Sequence, residues 1–246
     1  MSLRLIRPVC VPVSQLLQAT HRQQPVRHFF SNPLGESTPQ ILEASKTLPY
    51  ASIDLYNMVA DVESYPSFVP YCTKVEVTQW SKKDEHYNRS WPQEVKLSVG
   101  FGSGASETFV SRLYCIPPVP EKGRAGVGIV EAISGDVSGP SVNEKHIEHH
   151  KTSKQGLSTT DAARSSSPLK LLRTQWHISA FPFKPQPGEG SESAPETHER
   201  SDVSLKIEYQ FNNKMYEIMS QAVSGSVAGK MMNAFERRAQ ELLGKK

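Results

Sequence analysis

The sequence predicts an α+β fold, an antiparallel sheet covered by a long C-terminal helix. Three observations carry this expectation. Val95, Leu97, Val99 and Phe101 alternate with Glu94, Lys96, Ser98 and Gly100, and Val203, Leu205, Ile207, Tyr209 and Phe211 alternate with Ser204, Lys206, Glu208 and Gln210. A period of two gives a sheet one apolar and one polar face. Gly102-Ser103-Gly104 forms a turn between two strands, which makes those neighbours antiparallel. Residues 213–243 read as one long amphipathic helix, and an apolar sheet face needs such a cover.

The chain has 246 residues, a formal net charge of +3 and 37% hydrophobic residues, with a mean hydropathy of −0.47. Its three cysteines, Cys10, Cys72 and Cys115, contain no C-x-x-C pair. That argues against a disulfide framework and a zinc ribbon. No apolar run approaches the ~18–20 residues of a membrane-spanning helix.

Residues 1–35 hold Arg4, Arg7, Arg22 and Arg27, with no lysine and no acid. Leu3, Ile6, Val9, Val13, Leu16 and Leu17 recur at near-helical spacing, although Pro8 and Pro12 weaken a helix there. An arginine-rich, acid-free leader has the composition of a mitochondrial transit peptide, and a disordered basic tail is the alternative. Taking those four arginines from +3 leaves −1 for residues 36–246. The global case for a nucleic-acid partner largely disappears with them.

The elements follow in order. A strand is expected near 41–47, then a helix over 52–62 with Leu55, Val59 and Val62 on one face and Ser52 as its cap. Further strands are expected near 73–80, 95–101, 106–116, 127–134, 169–180 and 203–211. Two polar stretches, 136–167 and 184–201, bury too little surface to offset their ordering entropy and read as disordered insertions. Removing leader and insertions leaves about 154 residues, an ordinary single-domain size. On the last helix the apolar stripe runs from Met215, Met219, Ala222 and Val223 to Val227, Met231, Phe235 and Leu242, with a change of face at Ser224-Gly225-Ser226. Four of six methionines lie on this helix. Methionine suits both irregular core packing and an adaptable binding wall, and both readings stay open.

Several motifs carry no chemistry. Gly100-Phe101-Gly102-Ser103-Gly104-Ala105 matches a loose dinucleotide pattern, but the next segment reads as a strand and not a helix. His146, His149 and His150 have metal-compatible helical spacing but sit in the first polar insertion, so no metal site is expected. Asp61 and Glu63, two apart, do not share a helix face and make a poor acid–base pair.

One segment is distinctive. Tyr56 to Cys72 reads Tyr-Asn-Met-Val-Ala-Asp-Val-Glu-Ser-Tyr-Pro-Ser-Phe-Val-Pro-Tyr-Cys, and the chain closes on Met232-Asn233-Ala234-Phe235-Glu236-Arg237-Arg238-Ala239. Both pieces resemble the mitochondrial coenzyme Q-binding family of the START-like, polyketide-cyclase-like superfamily. Val99-Gly100-Phe101, Phe109-Val110-Ser111-Arg112 and Thr174-Gln175-Trp176 fall between them in the matching order. The resemblance implies a helix-grip fold, a curved antiparallel sheet wrapped around the C-terminal helix and enclosing an apolar tunnel. It also implies ubiquinone as the bound ligand, with no catalytic cofactor, and a lipid chaperone rather than an enzyme. The place implied is the matrix side of the mitochondrial inner membrane, beside the respiratory chain and the coenzyme Q biosynthetic complex.

A polyprenyl tail gains ~0.8 kcal/mol for each buried CH₂-sized group, so a carrier must offer an apolar enclosure and a few polar groups. Candidate tunnel residues are Pro66, Phe68, Val69, Pro70, Val99, Phe101, Trp176, Phe211, Met215, Met219 and Phe235. Loop 66–70 suits a tunnel mouth, a membrane contact or a buried cover over the sheet edge. Tyr65, Tyr71 and Arg112 are candidates for the quinone head, and the sequence does not choose among them. Two other functions remain in view: a ribosome-associating factor of the same superfamily, with a basic face from Lys214, Lys230, Arg237, Arg238, Lys245 and Lys246, and an aromatase or cyclase.

Overall fold

Seven strands form one antiparallel sheet: β1 (Gln40–Leu48), β2 (Cys72–Trp80), β3 (Pro92–Gly100), β4 (Ser106–Ile116), β5 (Val127–Gly135), β6 (Leu169–Ala180) and β7 (Ser201–Phe211). Among the described residues two α-helices accompany them, α1 (Ser52–Ala60) and α2 (Val227–Leu243). This is a computed structural model, and it describes residues 37–84, 86–100, 106–119, 126–135, 139–141, 169–181, 199–213 and 226–244. All of them lie in the unit Pro33–Lys246.

The sheet order is β1-β7-β6-β5-β4-β3-β2. From β2 to β7 the chain meanders, each strand pairing with the next, and β7 returns to pair with β1. The β1-to-β2 connection therefore runs from one edge of the sheet to the other. It carries α1, which packs on β5 and β6 at the sheet centre, and α2 packs on β1, β7 and α1. The curved sheet gripping the C-terminal helix is a helix-grip fold, as the resemblance implies.

Alternation does the work expected of it. In β7, Val203, Leu205, Ile207 and Tyr209 are buried while Ser204 and Lys206 are exposed. Register carries this inner face across the sheet: Leu205 stands opposite Trp176, Trp176 opposite Val130, and Val130 opposite Cys115. All four are buried.

Two local details differ from expectation. Ser52 is the first residue of α1 and not its cap, since Ala51 precedes the helix in an extended conformation with no side-chain cap bond. The helix also stops at Ala60; a 3-10 helix, Val62–Ser67, follows after Asp61 leaves helical geometry. The expected leader 1–35, the turn at 102–104, most of the expected insertions 136–167 and 184–201, and the first part of the expected long helix, 214–225, lie outside the described residues.

One end of the grip is closed by α1. Tyr56 is fully buried, meets Trp91 edge-on at 5.3 Å, and lies flat where a Cβ on Gly128 would stand only 2.6 Å from its ring. Only glycine lets the ring approach the sheet so closely. Gly128→Ala is expected to overpack this site and cost about 1–3 kcal/mol, read as a lower denaturation midpoint with unchanged slope. An unchanged midpoint would show that Tyr56 shifts freely.

Candidate ligand-binding site

Phe235 of α2 is the centre from which the site is built. It is 2% exposed and meets three aromatic rings. Trp176 of β6 stands 4.5 Å away between centroids, Phe68 5.0 Å at 84° and Tyr65 5.4 Å at 87°. Tyr65 and Phe68 also meet each other edge-on at 5.8 Å. Edge-to-face pairs of this kind add about 0.5–1.5 kcal/mol each beyond burial. The loop after α1 is thereby held against helix and sheet together. The Arg238 guanidinium lies 5.5 Å over the Phe68 ring and covers it from outside.

At the end of the sheet away from Tyr56, the apolar inner face continues beyond this cluster. Val99, Leu97, Leu172 and Phe211 are half-buried there, and Phe109, opposite Leu97, is buried. Phe211 meets Tyr209 edge-on at 5.6 Å. The chain enters β2 at this end through Tyr71, whose φ of 66° is left-handed. A non-glycine residue there carries backbone strain of order 1–3 kcal/mol, held by its surroundings. Gly100 N–H donates to the Tyr71 carbonyl at 2.8 Å, pinning the turn to the end of β3. Lys230 Nζ, from the start of α2, donates to the Tyr71 hydroxyl at 3.2 Å and stands 5.8 Å from its ring centre.

The candidate residues separate on this geometry. Phe68, Trp176 and Phe235 belong to the aromatic cluster, and Val69 is buried beside it. Pro66 is exposed and Pro70 half-buried. Val99 and Phe211 lie on the far stretch of the inner face, while Phe101, Met215 and Met219 lie outside the described residues, as do His146, His149 and His150. Tyr65 donates its hydroxyl proton to the Val59 carbonyl, so its donor is already engaged. Arg112 is placed away from the others. It is exposed and alternates with buried Ser111 and Leu113, so it stands on the opposite face from Trp176. Phe109 and Lys230 were not among the expected site residues. The alternation of Phe109, Ser111, Leu113 and Cys115 was a signal for the first; nothing in the sequence pointed Lys230 at Tyr71.

Burial governs the acid–base behaviour of this region. It holds the Tyr65 phenol well above its ordinary range and pushes the Cys72 thiol up to about 11 and that of Cys115 to about 12. Among the described residues no group of three or more His, Cys, Asp or Glu is arranged to hold a metal ion. The site therefore offers a half-buried apolar surface, aromatic rings and a few hydrogen-bonding groups at one end.

The profile of the family described as polyketide cyclase / dehydrase and lipid transport matches residues 48–236. The chain belongs to that family. Its relatives include the mitochondrial coenzyme Q-binding protein coq10 of Schizosaccharomyces pombe, 25% identical over 80% of this chain and 85% of that protein. The mitochondrial coenzyme Q-binding protein of Eremothecium gossypii is 26% identical over 76% of this chain and 66% of that one. The ribosome association toxin RatA of Escherichia coli is 22% identical over 83% and 89%. Among solved structures, an aromatase/cyclase, Zhui, from a Streptomyces species covers 85% of this chain and 99% of that one at 13% identity, with a TM-score of 0.49.

Thiol chemistry gives a direct test of this geometry. With Cys10 replaced by Ser, the folded chain is expected to react with a thiol reagent at pH 8 at least about a hundredfold more slowly than the unfolded chain, because the thiolate is the reactive form. Labelling of Cys72 in the folded chain at the rate of a free thiol would contradict its placement.

Proposed function

We propose that this chain binds ubiquinone in an apolar enclosure between the inner face of the sheet and its C-terminal helix. It acts as a lipid chaperone, presenting the quinone for respiratory electron transport and for coenzyme Q biosynthesis. The observation that carries this reading is the row Val99, Leu97, Phe109, Leu172 and Phe211, an apolar face that continues past the packed aromatic cluster. Two relatives named for coenzyme Q binding support the choice of ligand. A quinone with a long prenyl tail matches such a surface, since each CH₂-sized group that leaves water contributes ~0.8 kcal/mol.

The role is binding without turnover. Tyr65 is held protonated and already donates to a backbone carbonyl, and the Cys72 and Cys115 thiols are poor nucleophiles at neutral pH. The place of action is the mitochondrial matrix, at the surface of the inner membrane. The arginine-only leader and the mitochondrial relatives support that address.

The test is to purify the full chain, extract it with organic solvent and analyse the lipid. Co-purified ubiquinone is expected, or its uptake from quinone-loaded liposomes by lipid-free protein. Protein that arrives empty and takes up none from liposomes would overturn the proposal. Salt-sensitive co-sedimentation with mitochondrial ribosomes in the same preparation would turn the assignment toward the ribosome-associating relatives.

A further inference from the structure

We infer that Lys230, held by Tyr71, is the polar contact that donates to a carbonyl oxygen of the ligand's ring at the end of the sheet marked by Val99 and Phe211. The inference rests on the quinone-binding reading above and assigns a residue for the head group.

Four observations converge on this pair. Lys230 stands in the first turn of α2 and Tyr71 at the entry to β2; both are exposed, and their 3.2 Å hydrogen bond joins the helix to the strand on the surface, next to the Val99 end of β3. That end is where Val99, Phe109 and Phe211 continue the apolar surface. Among the described residues no ion pair within 4.0 Å includes Lys230, a state it shares with Lys82, Lys83, Lys96 and Lys170. The positions one helical turn away from Lys230 are Ser226, Val227, Asn233 and Ala234, none of them acidic. Finally, Tyr71 keeps a left-handed backbone that a non-glycine residue adopts only when its surroundings impose it.

The chemistry follows from the donor count. An ammonium has three N–H donors and no acceptor, and the Tyr71 hydroxyl takes one. A quinone carbonyl is a neutral acceptor that can take another donor without a buried charge pair. With the ring oxygen at Lys230, the prenyl tail extends along Val99, Phe109 and Phe211. Of the three head-group candidates, Tyr65 has its donor engaged and Arg112 lies on the far face, which leaves Tyr71 as the hydroxyl that orients the lysine.

The experiment compares two probes on the full-length chain and its variants: a decyl-substituted ubiquinone and decylbenzene, which shares the chain but has no ring oxygen. Lys230→Met is expected to raise the Kd for the quinone about tenfold, the size of one hydrogen bond to a charged group. Decylbenzene should stay within about twofold, and Lys230→Arg should restore most of the quinone affinity. Tyr71→Phe should weaken quinone binding by about three- to fivefold through loss of the orienting hydroxyl. Equal losses for both probes would assign Lys230 a packing role and overturn the inference, as would an unchanged quinone Kd. Binding of neither probe by the unaltered chain would overturn the quinone-binding reading itself, and this assignment with it.

Discussion

The structure depends on Phe235. A curved sheet has an apolar concave face that must be covered, and in this chain two separate segments supply the cover, the crossover after β1 and the C-terminal helix. They are far apart in sequence and touch different strands. Phe235 is where they meet, with Trp176 on the sheet side and Tyr65 and Phe68 on the crossover side. Losing this ring would leave a cavity at the junction, and truncations of a buried phenylalanine typically cost about 3–5 kcal/mol. The ion pair between Lys46 of β1 and Glu236 of α2, one residue on, holds the helix to the edge strand from the half-exposed side. Everything beyond the junction, including the half-buried apolar row, inherits its position from it.

The convex face is organised by different physics. Glu131 is fully buried there and accepts from the Ser141 amide at 3.0 Å and the Ser141 hydroxyl at 2.8 Å, with the Arg173 guanidinium 3.4 Å away. Arg173 also reaches Glu208 and donates to the Gly139 carbonyl. A buried carboxylate needs several such partners to offset its desolvation. The result ties residues 139–141 to the outside of β5 and β6. It leaves the concave face free of this charged network, so the two faces carry separate duties.

Much of the fold was legible because strand alternation has a short period. The runs at 95–101 and 203–211 showed which residues share a face, and the observed strands begin and end within a few residues of the expected ones. What alternation cannot show is which of two faces a helix will cover. Arg112 looked like a neighbour of Phe109 in sequence, but the register chain through Cys115, Val130 and Trp176 puts it on the other side. The helix cap at Ser52 failed for a local reason: the backbone turns at Ala51, one residue earlier. Lys230 was read as part of a basic helix surface. Its pairing with Tyr71 spans 159 positions, and only the folded sheet brings those two ends together. The aromatic cluster was partly visible, since Phe68, Trp176 and Phe235 were all expected to line the interior, but their mutual contact is a property of the crossover geometry.

The central claim is that the concave end marked by Val99, Phe109 and Phe211 is where the prenyl quinone lies. Photolabelling tests it most directly: the full chain is irradiated with a ubiquinone analogue that carries a photoreactive group on its tail, and the adducts are mapped by mass spectrometry. The account expects adducts on residues of this inner face, competed away by unmodified ubiquinone. Adducts confined to convex-face positions such as Arg112, Gln175 or Lys206, or labelling that ubiquinone does not compete, would contradict it.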